Sequence, residues 1–260
     1  MRVVETASQL AEALASARRE AQSAFSDSRV FLEKFIPAAR HVEIQVLGDQ
    51  EGRVISLFER DCSIQRRHQK ILEESPSPAL NEDLRARMGA AAVAVASAAA
   101  YVNAGTVEFL LDADSGEFYF LEMNTRLQVE HPVTEILTGV DLVQAQLRIA
   151  AGEPLAPAWA AAQPRGHALE CRIYAEDPER DFAPSPGRIL RWESPQGPGV
   201  RVDSGYAQGD EVPVHYDPLL AKVIVGANDR EGAVRRMERA VREMVILGPV
   251  TNLPFLQEVL

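Results

Sequence analysis

The segment TVEFLLDADSGEFYFLEMNTRLQVEHP, residues 106–132, constrains the fold of this chain more than any other. Two apolar runs, TVEFLL and FYFLEMN, flank the turn signal DADSGE and predict an antiparallel hairpin. Folding about Ser115 sets Glu108 opposite Glu122, with Asn124 two residues further along the same face. Facing carboxylates repel unless a cation lies between them, and two carboxylates with an amide oxygen form a hard donor set suited to Mg²⁺. Two exposed glutamates on a solvent face are the plainer alternative. The apolar neighbours of Glu108, with Leu110 and Phe120 on the sheet face, favour the metal. The two-residue period continues through Arg126, Gln128 and Glu130, although the run takes on loop character towards Pro132. Arg126 offers a planar fork of donors for an oxyanion such as bicarbonate, and Glu130 a carboxylate able to act as a general base. A salt-bridged polar loop would contain the same residues.

Three other places carry candidate chemistry. ERDCSIQRRHQK gathers Gln65, Arg66, Arg67, His68 and Lys70 near a strand end, where they would neutralise phosphate in a cleft or form a solvated basic loop. FLEKFI sets Glu33 and Lys34 among Phe31, Leu32, Phe35 and Ile36; such a strand could form a slot for adenine or simply be buried. Arg172 in ECRIYAED is expected on a strand, where a surface ion pair with Glu170 or Glu176 is the simpler reading. GxSxG, HExxH, CxxC and Walker A patterns are absent, so a P-loop would not hold any ATP bound here.

Elsewhere the periodicities predict an α+β chain. Thr6 and Gln9 suggest a capping box before a helix carrying Leu10, Leu14, Ala17, Ala21 and Phe25. Residues 41–46 alternate, with His41, Glu43 and Gln45 on a solvated face and Val42, Ile44 and Val46 on a buried one; a turn at 49–52 leads to a strand over 53–59. The polar run 60–74 precedes Pro76 and Pro78, and Asn81 caps an Ala-rich helix reaching about Tyr101. Another helix covers 141–150, and GEPLAPAWAAAQP reads as a boundary. Short strands follow, then a closing helix boxed by Asn228 and Glu231 with an apolar stripe of Ala233, Met237, Ala240, Val241 and Met244.

The formal net charge of −11 argues against a nucleic-acid partner, which needs a basic footprint. No apolar stretch approaches the length of a membrane span, and no leader is visible. Cys62 and Cys171 lack metal-ligand spacing and are expected as free thiols, which fits a cytoplasmic location.

The segments EKFIPAARHVEIQVLGD, ERDCSIQRRHQKILEESP, AGTVEFL, FYFLEMNTRLQVEHPVTEILTGVDLVQAQLRIAAGEPL and RGHALECRIYAEDP resemble the biotin carboxylase component of acetyl-CoA, propionyl-CoA and related carboxylases. The resemblance implies part of an ATP-grasp domain over residues 1–152 and a biotin carboxylase C-terminal domain over 153–260. It implies a ligase that forms carboxyphosphate from bicarbonate and ATP, then carboxylates biotin carried by a biotin carboxyl carrier protein or domain. A carboxyltransferase partner, homodimerisation and a place in fatty acid biosynthesis follow by the same resemblance. Glu33, Lys34 and Ile36 would line the adenine site. His41 and Gln65 would lie near the ribose, His68 in the same pocket, and Lys70 near the phosphates. Glu108, Glu122 and Asn124 would hold Mg²⁺ or Mn²⁺, with both glutamates also serving the nucleotide. Arg126, Gln128 and the backbone of Val129 would bind bicarbonate, with Glu130 as its base and Arg172 stabilising the biotin enolate. The resemblance begins after the family's N-terminal domain and glycine-rich loop, and no Met-Lys-Met type biotin-attachment motif is present. A catalytically incomplete nucleotide-binding or dimerisation module is therefore one alternative. Another ATP-grasp ligase, such as a carbamoyl-phosphate synthetase, is a second; RDCSIQRRHQK and RGHALECRIYAEDP speak against it.

Overall fold

The computed structural model describes residues 2–260. The chain divides into two compact units, one ending at Ala38 and one spanning Ala39–Leu260. In the first, Gln9 Oε1 accepts from the backbone N–H of Thr6 at 3.2 Å, and helix α1 (Leu10–Phe25) follows. It stops at Ser26, whose φ of 57° leaves the helical region. No residue of α1 is buried, so its apolar stripe is not a core stripe. FLEKFI, expected as a strand, has no regular secondary structure, and Phe31, Leu32 and Phe35 are exposed.

The second unit is built on strands β1 (Ala39–Gly48), β2 (Val54–Arg66) and β3 (Gln69–Ser75), helix α2 (Glu82–Ala98), strands β4 (Asn103–Asp112) and β5 (Phe118–Asn124), and helices α3 (His131–Thr138), α4 (Leu142–Ala150) and α5 (Pro157–Ala160). Then come β6 (His167–Tyr174), β7 (Glu176–Asp177), β8 (Ala183–Pro184), β9 (Gly187–Arg188), β10 (Arg191–Glu193), β11 (Val200–Ser204), β12 (Glu211–Val212), β13 (Leu219–Ala227), α6 (Arg230–Glu243), β14 (Val245–Leu247) and α7 (Leu253–Val259). Eight strands form one sheet in the order β11-β13-β6-β3-β2-β1-β4-β5, with antiparallel neighbours throughout. The sheet runs without a break from residues before GEPLAPAWAAAQP to residues after it.

Helices α2 and α6 cover one face. Asn81 Oδ1 caps α2 by accepting from Leu84 N–H at 2.8 Å. Leu84, Met88, Ala92 and Ala96, one turn apart, are buried against Val42, Ile44, Val46, Val107 and Phe109. The small side chains let helix and sheet approach closely, and Met88 fills the space between them. Under α6, Ala233, Met237, Ala240 and Val241 meet Leu169, Cys171, Ile173, Val223 and Val225. The cap of α6 is Asp229, one residue beyond the expected Asn228; its Oδ1 accepts from Gly232 N–H at 2.7 Å.

The opposite face departs most from expectation. The polar run 60–74 is largely strand: β2 continues to Arg66, turns at Arg67 and His68 (φ 49° and 67°), and returns as β3. The polar face of β1 is not solvated either, since Glu43 and Gln45 are both fully buried. Helix α3, hidden in the sequence inside a loop-like stretch, lies across this face over β2, β3, β6 and β13. Cys62 and Cys171 are free and buried. No helix among the described residues is long and apolar enough to cross a membrane.

Met88 has no exposed surface and sits at the centre of the α2 contact. Replacing Met88 by Ala is expected to cost about 2–5 kcal/mol of unfolding free energy in urea titrations. A loss below about 1 kcal/mol would show that the helix settles into the gap.

Candidate active site

The register of the sheet builds the site. Arg60 on β2 faces Glu43 on β1, Glu43 faces Glu108 on β4, and Glu108 faces Glu122 on β5, so one rung carries four charged side chains. The expected Glu108–Glu122 pairing is present. It is reached by a bulge that the sequence does not announce: Phe109 pairs with Phe120, leaving Leu121 without a partner before Glu122. Asn124, two rungs along on the same face, donates from Nδ2 to Glu108 Oε1 at 3.0 Å and to Glu122 Oε1 at 3.1 Å. The three proposed metal ligands therefore converge on one spot. Glu108 is buried while Glu122 is exposed, so the reading of two solvent-facing glutamates holds for Glu122 alone.

Lys70 anchors the centre. Its Nζ donates to Glu108 Oε1 at 2.9 Å, to Glu130 Oε1 at 2.7 Å and to Glu43 Oε2. Burial alone would lower its pKa, but the Glu43, Glu130 and Glu108 carboxylates around it push it up, so it stays charged. Glu130 is gripped on its other side as well: Arg172 Nη2 donates to Glu130 Oε2 at 2.9 Å, and Arg172 Nε to Glu73 Oε1 at 2.6 Å. These are the ion-pair partners of Arg172, not Glu170 or Glu176, and the interaction is buried. Glu130 stands at the start of α3, where the chain leaves its loop, so its carboxylate is fixed between a lysine from β3 and an arginine from β6.

Around this centre lies a second layer. Gln128 Nε2 donates to Glu108 Oε1 at 2.8 Å. His41 Nε2 lies 2.6 Å from Glu108 Oε2, and Gln65 Nε2 lies 2.8 Å from His41 Nδ1, so the two expected ribose residues are joined to the expected metal site. Arg126 is exposed, with Nη2 donating to Asn124 Oδ1 at 3.2 Å. Lys222 Nζ donates to the Val129 carbonyl. His68 sits exposed at the β2–β3 turn, and no hydrogen bond or ion pair among the described residues links it to the network. Glu33, Lys34 and Ile36 belong to the first unit.

Four participants were not singled out in the sequence: Arg60, Glu43, Glu73 and Lys222. Arg60 and Glu43 are both wholly buried, with Arg60 Nε donating to Glu43 Oε1 at 2.5 Å. Only Glu43 left a signal, since the polar alternation of β1 marks its face; the other three join through strand order, which no local pattern encodes.

Glu108 is ordinarily near 4.5; burial would raise it, but the His41 hydrogen bond and Lys70 bring it down to about 2. Because the folded value lies below the unfolded one, its stabilisation is complete above 4.5 and is lost as pH falls through about 2. Urea denaturation across that window is expected to show wild type losing stability more steeply than Glu108→Gln. Parallel curves would mean that these contacts do not favour the charged carboxylate.

Comparison with known proteins gives a consistent picture. Residues 1–158 match the family model for the carbamoyl-phosphate synthase L chain, ATP binding domain, and residues 170–260 that for the biotin carboxylase C-terminal domain. A pyruvate carboxylase subunit from Methanothermobacter thermautotrophicus is 53% identical over 98% of this chain, and biotin carboxylase of a Nostoc species is 53% identical over 100% of this chain. The chain spans 52% and 58% of those two relatives. Among solved structures, the biotin carboxylase domain dimer of Hydrogenobacter thermophilus 2-oxoglutarate carboxylase, in complex with MgADP, ADP and bicarbonate, superposes with a TM-score of 0.93 at 46% identity. That match covers 99% of this chain and 57% of the other.

Proposed function

Because the chain belongs to the biotin carboxylase family and carries its ATP-grasp type of fold, we propose that the site carboxylates biotin at the expense of ATP. The observation that carries this reading is Glu130, a buried carboxylate held on one oxygen by Lys70 and on the other by Arg172. Each carboxylate oxygen has a second lone pair, so Glu130 can still accept the proton of a bicarbonate placed beside it. Deprotonated bicarbonate then attacks the γ-phosphorus of ATP and ADP departs, giving carboxyphosphate. This splits into CO₂ and phosphate; the released phosphate takes the proton of the biotin ureido nitrogen, and that nitrogen takes up the CO₂. Lys70 and Arg172 balance the charge that gathers on the phosphoryl and carboxyl oxygens, the dominant requirement of phosphoryl transfer. In this reading Arg126, Gln128 and the Val129 backbone bind bicarbonate, and Arg172 also steadies the biotin enolate. Glu33, Lys34 and Ile36 line the adenine, His41, Gln65 and His68 serve the nucleotide, and Lys70 approaches the phosphates.

The donor chemistry fits a hard divalent cation. Glu108, Glu122 and the Asn124 amide offer oxygen ligands at one place, as Mg²⁺ or Mn²⁺ requires. To ligate, the Asn124 amide must turn half round so that Oδ1 rather than Nδ2 faces the carboxylates. The cation would neutralise phosphate oxygens of the nucleotide. The His41, Glu43 and Glu108 side chains also lie close together, but Glu43 is already taken by Arg60 and Lys70.

We divide the chain into part of an ATP-grasp domain, residues 1–152, and a biotin carboxylase C-terminal domain from 153 onward. Biotin would arrive on a carrier protein or domain and leave for a carboxyltransferase acting on an acyl-CoA, with a homodimer as the working form. The match of residues 170–260 favours this over a carbamoyl-phosphate synthetase.

The test is phosphate release by this chain with ATP, Mg²⁺, bicarbonate and free biotin. Release is expected to rise with biotin and to fall at least about a hundredfold in Glu130→Gln. Binding of Mn²⁺, followed by electron paramagnetic resonance, is expected to weaken at least about tenfold in Glu122→Gln. Metal binding without biotin-dependent release would leave a nucleotide-binding module in place of an enzyme.

A further inference from the structure

The network described so far leaves one buried group unused. Glu73 on β3 faces Glu170 on β6 across an antiparallel rung, and neither carboxyl has any exposure. Glu73 Oε1 accepts from Arg172 Nε, but Glu73 Oε2 and both oxygens of Glu170 have no hydrogen-bond partner among the described residues. Three orphaned oxygens on two facing carboxyls are intolerable if both are ionised, because like charges in a dry interior repel and each lacks a donor. One proton would ease the conflict: a protonated Glu170 has an O–H to offer Glu73 Oε2 across the rung, which would satisfy one oxygen on each side.

The surroundings leave no other donor for Glu170. Along β6 its face neighbours are Ala168 and Arg172, and Arg172 is engaged by Glu73 and Glu130. On β13 it faces Ile224, and Lys222, one face position along, is turned to the Val129 carbonyl and Asp203. From α3 it meets an apolar cover: Val133 and Ile136 cluster with Ala168 and Ile224. The charged groups of α3 are occupied, His131 by the Gln128 carbonyl and Glu135 by Arg201. Helices α6 and α7 pack on the other side of the sheet, where Glu74 pairs with His167 and Arg230.

We propose that Glu73 is a positioning residue for Arg172 and shares a single proton with Glu170, so that the pair presents one negative charge behind the guanidinium. Burial pushes both carboxyls up, Glu73 to about 7 and Glu170 well above the usual range, as a shared proton requires. One charge holds Arg172 in line with Glu130; two would draw its field away from the oxyanion that it serves. Only that last consequence rests on the biotin carboxylase reading; the shared proton stands or falls without it.

Isotope-edited infrared spectroscopy of the chain, labelled with ¹³C-glutamate, tests the proton directly at about pH 7. Wild type is expected to show a protonated-carboxyl band that moves with the label, is absent in Glu170→Gln, and is displaced in Glu73→Gln because the acceptor has changed. No labelled acid band in wild type, or one indifferent to either substitution, overturns the proposal. So does failure of Glu170→Gln to fold, since an amide should replace a neutral donor there. Where biotin-dependent turnover is measurable, Glu73→Gln is expected to lower kcat at least about tenfold with KM for ATP within about twofold. A rise in KM with kcat intact would remove the positioning role. If wild type shows no turnover, the enzymatic reading fails while the infrared result still decides the shared proton.

Discussion

The arrangement depends first on Arg60. Its guanidinium, wholly buried, donates to Glu43, to Gln45 and Thr134, and to Thr106 and Gln128, so one side chain ties β2 to β1, β4, the loop after β5 and helix α3. Taking such a charge out of water costs several kcal/mol, and the cost is offset only where every donor finds an acceptor in good geometry. Here the acceptors come from separate stretches of chain, so the guanidinium is satisfied only when all of them are in register. That makes Arg60 a specifier of the fold more than a source of net stability.

From that point the electrostatics pass outward in alternating sign. Glu43 joins Arg60 to Lys70, Lys70 joins Glu43 to Glu108 and Glu130, and Arg172 joins Glu130 to Glu73. An acidic chain thus holds a string of interior cations, of which Lys70 and Arg172 each bridge carboxylates, and ends at the outer rim on Glu122 and Asn124. Lys70 and Arg172 are held by buried ionic neighbours, whereas Arg126 at the rim is exposed.

Much of this was legible in the sequence. The turn DADSGE and the apolar runs beside it fix the β4–β5 hairpin, and even an unannounced bulge at Leu121 leaves Glu108 against Glu122. Capping at Asn81 and the stripe of α6 likewise follow from local chemistry. What escaped depends on partners distant in the chain. Glu43 and Gln45 read as solvated because polar alternation does not say what covers a face; here the Arg60 side chain meets both and Lys70 meets Glu43, while α3, hidden behind Pro132 in a loop-like run, lies over the neighbouring strands. Spacing pairs Arg172 with its sequence neighbours, whereas the sheet gives it Glu73 and Glu130, residues 99 and 42 positions away. FLEKFI looked like a buried strand because composition alone cannot distinguish an apolar segment that packs from one that does not.

The sheet also bears on how such a protein can be inherited. The two segments that match different family models meet at β3 and β6, through the rungs Leu72–Cys171 and Glu73–Glu170. Neither is an independent bead on a string. A gene break in the connection between them would leave each product with a long, unpaired strand edge, and such edges seek other chains. Recombination that swapped one half for a distant counterpart would have to preserve both the backbone ladder and the side chains that cross it. The halves are therefore bound to change together, and variation in one should be answered in the other along this seam.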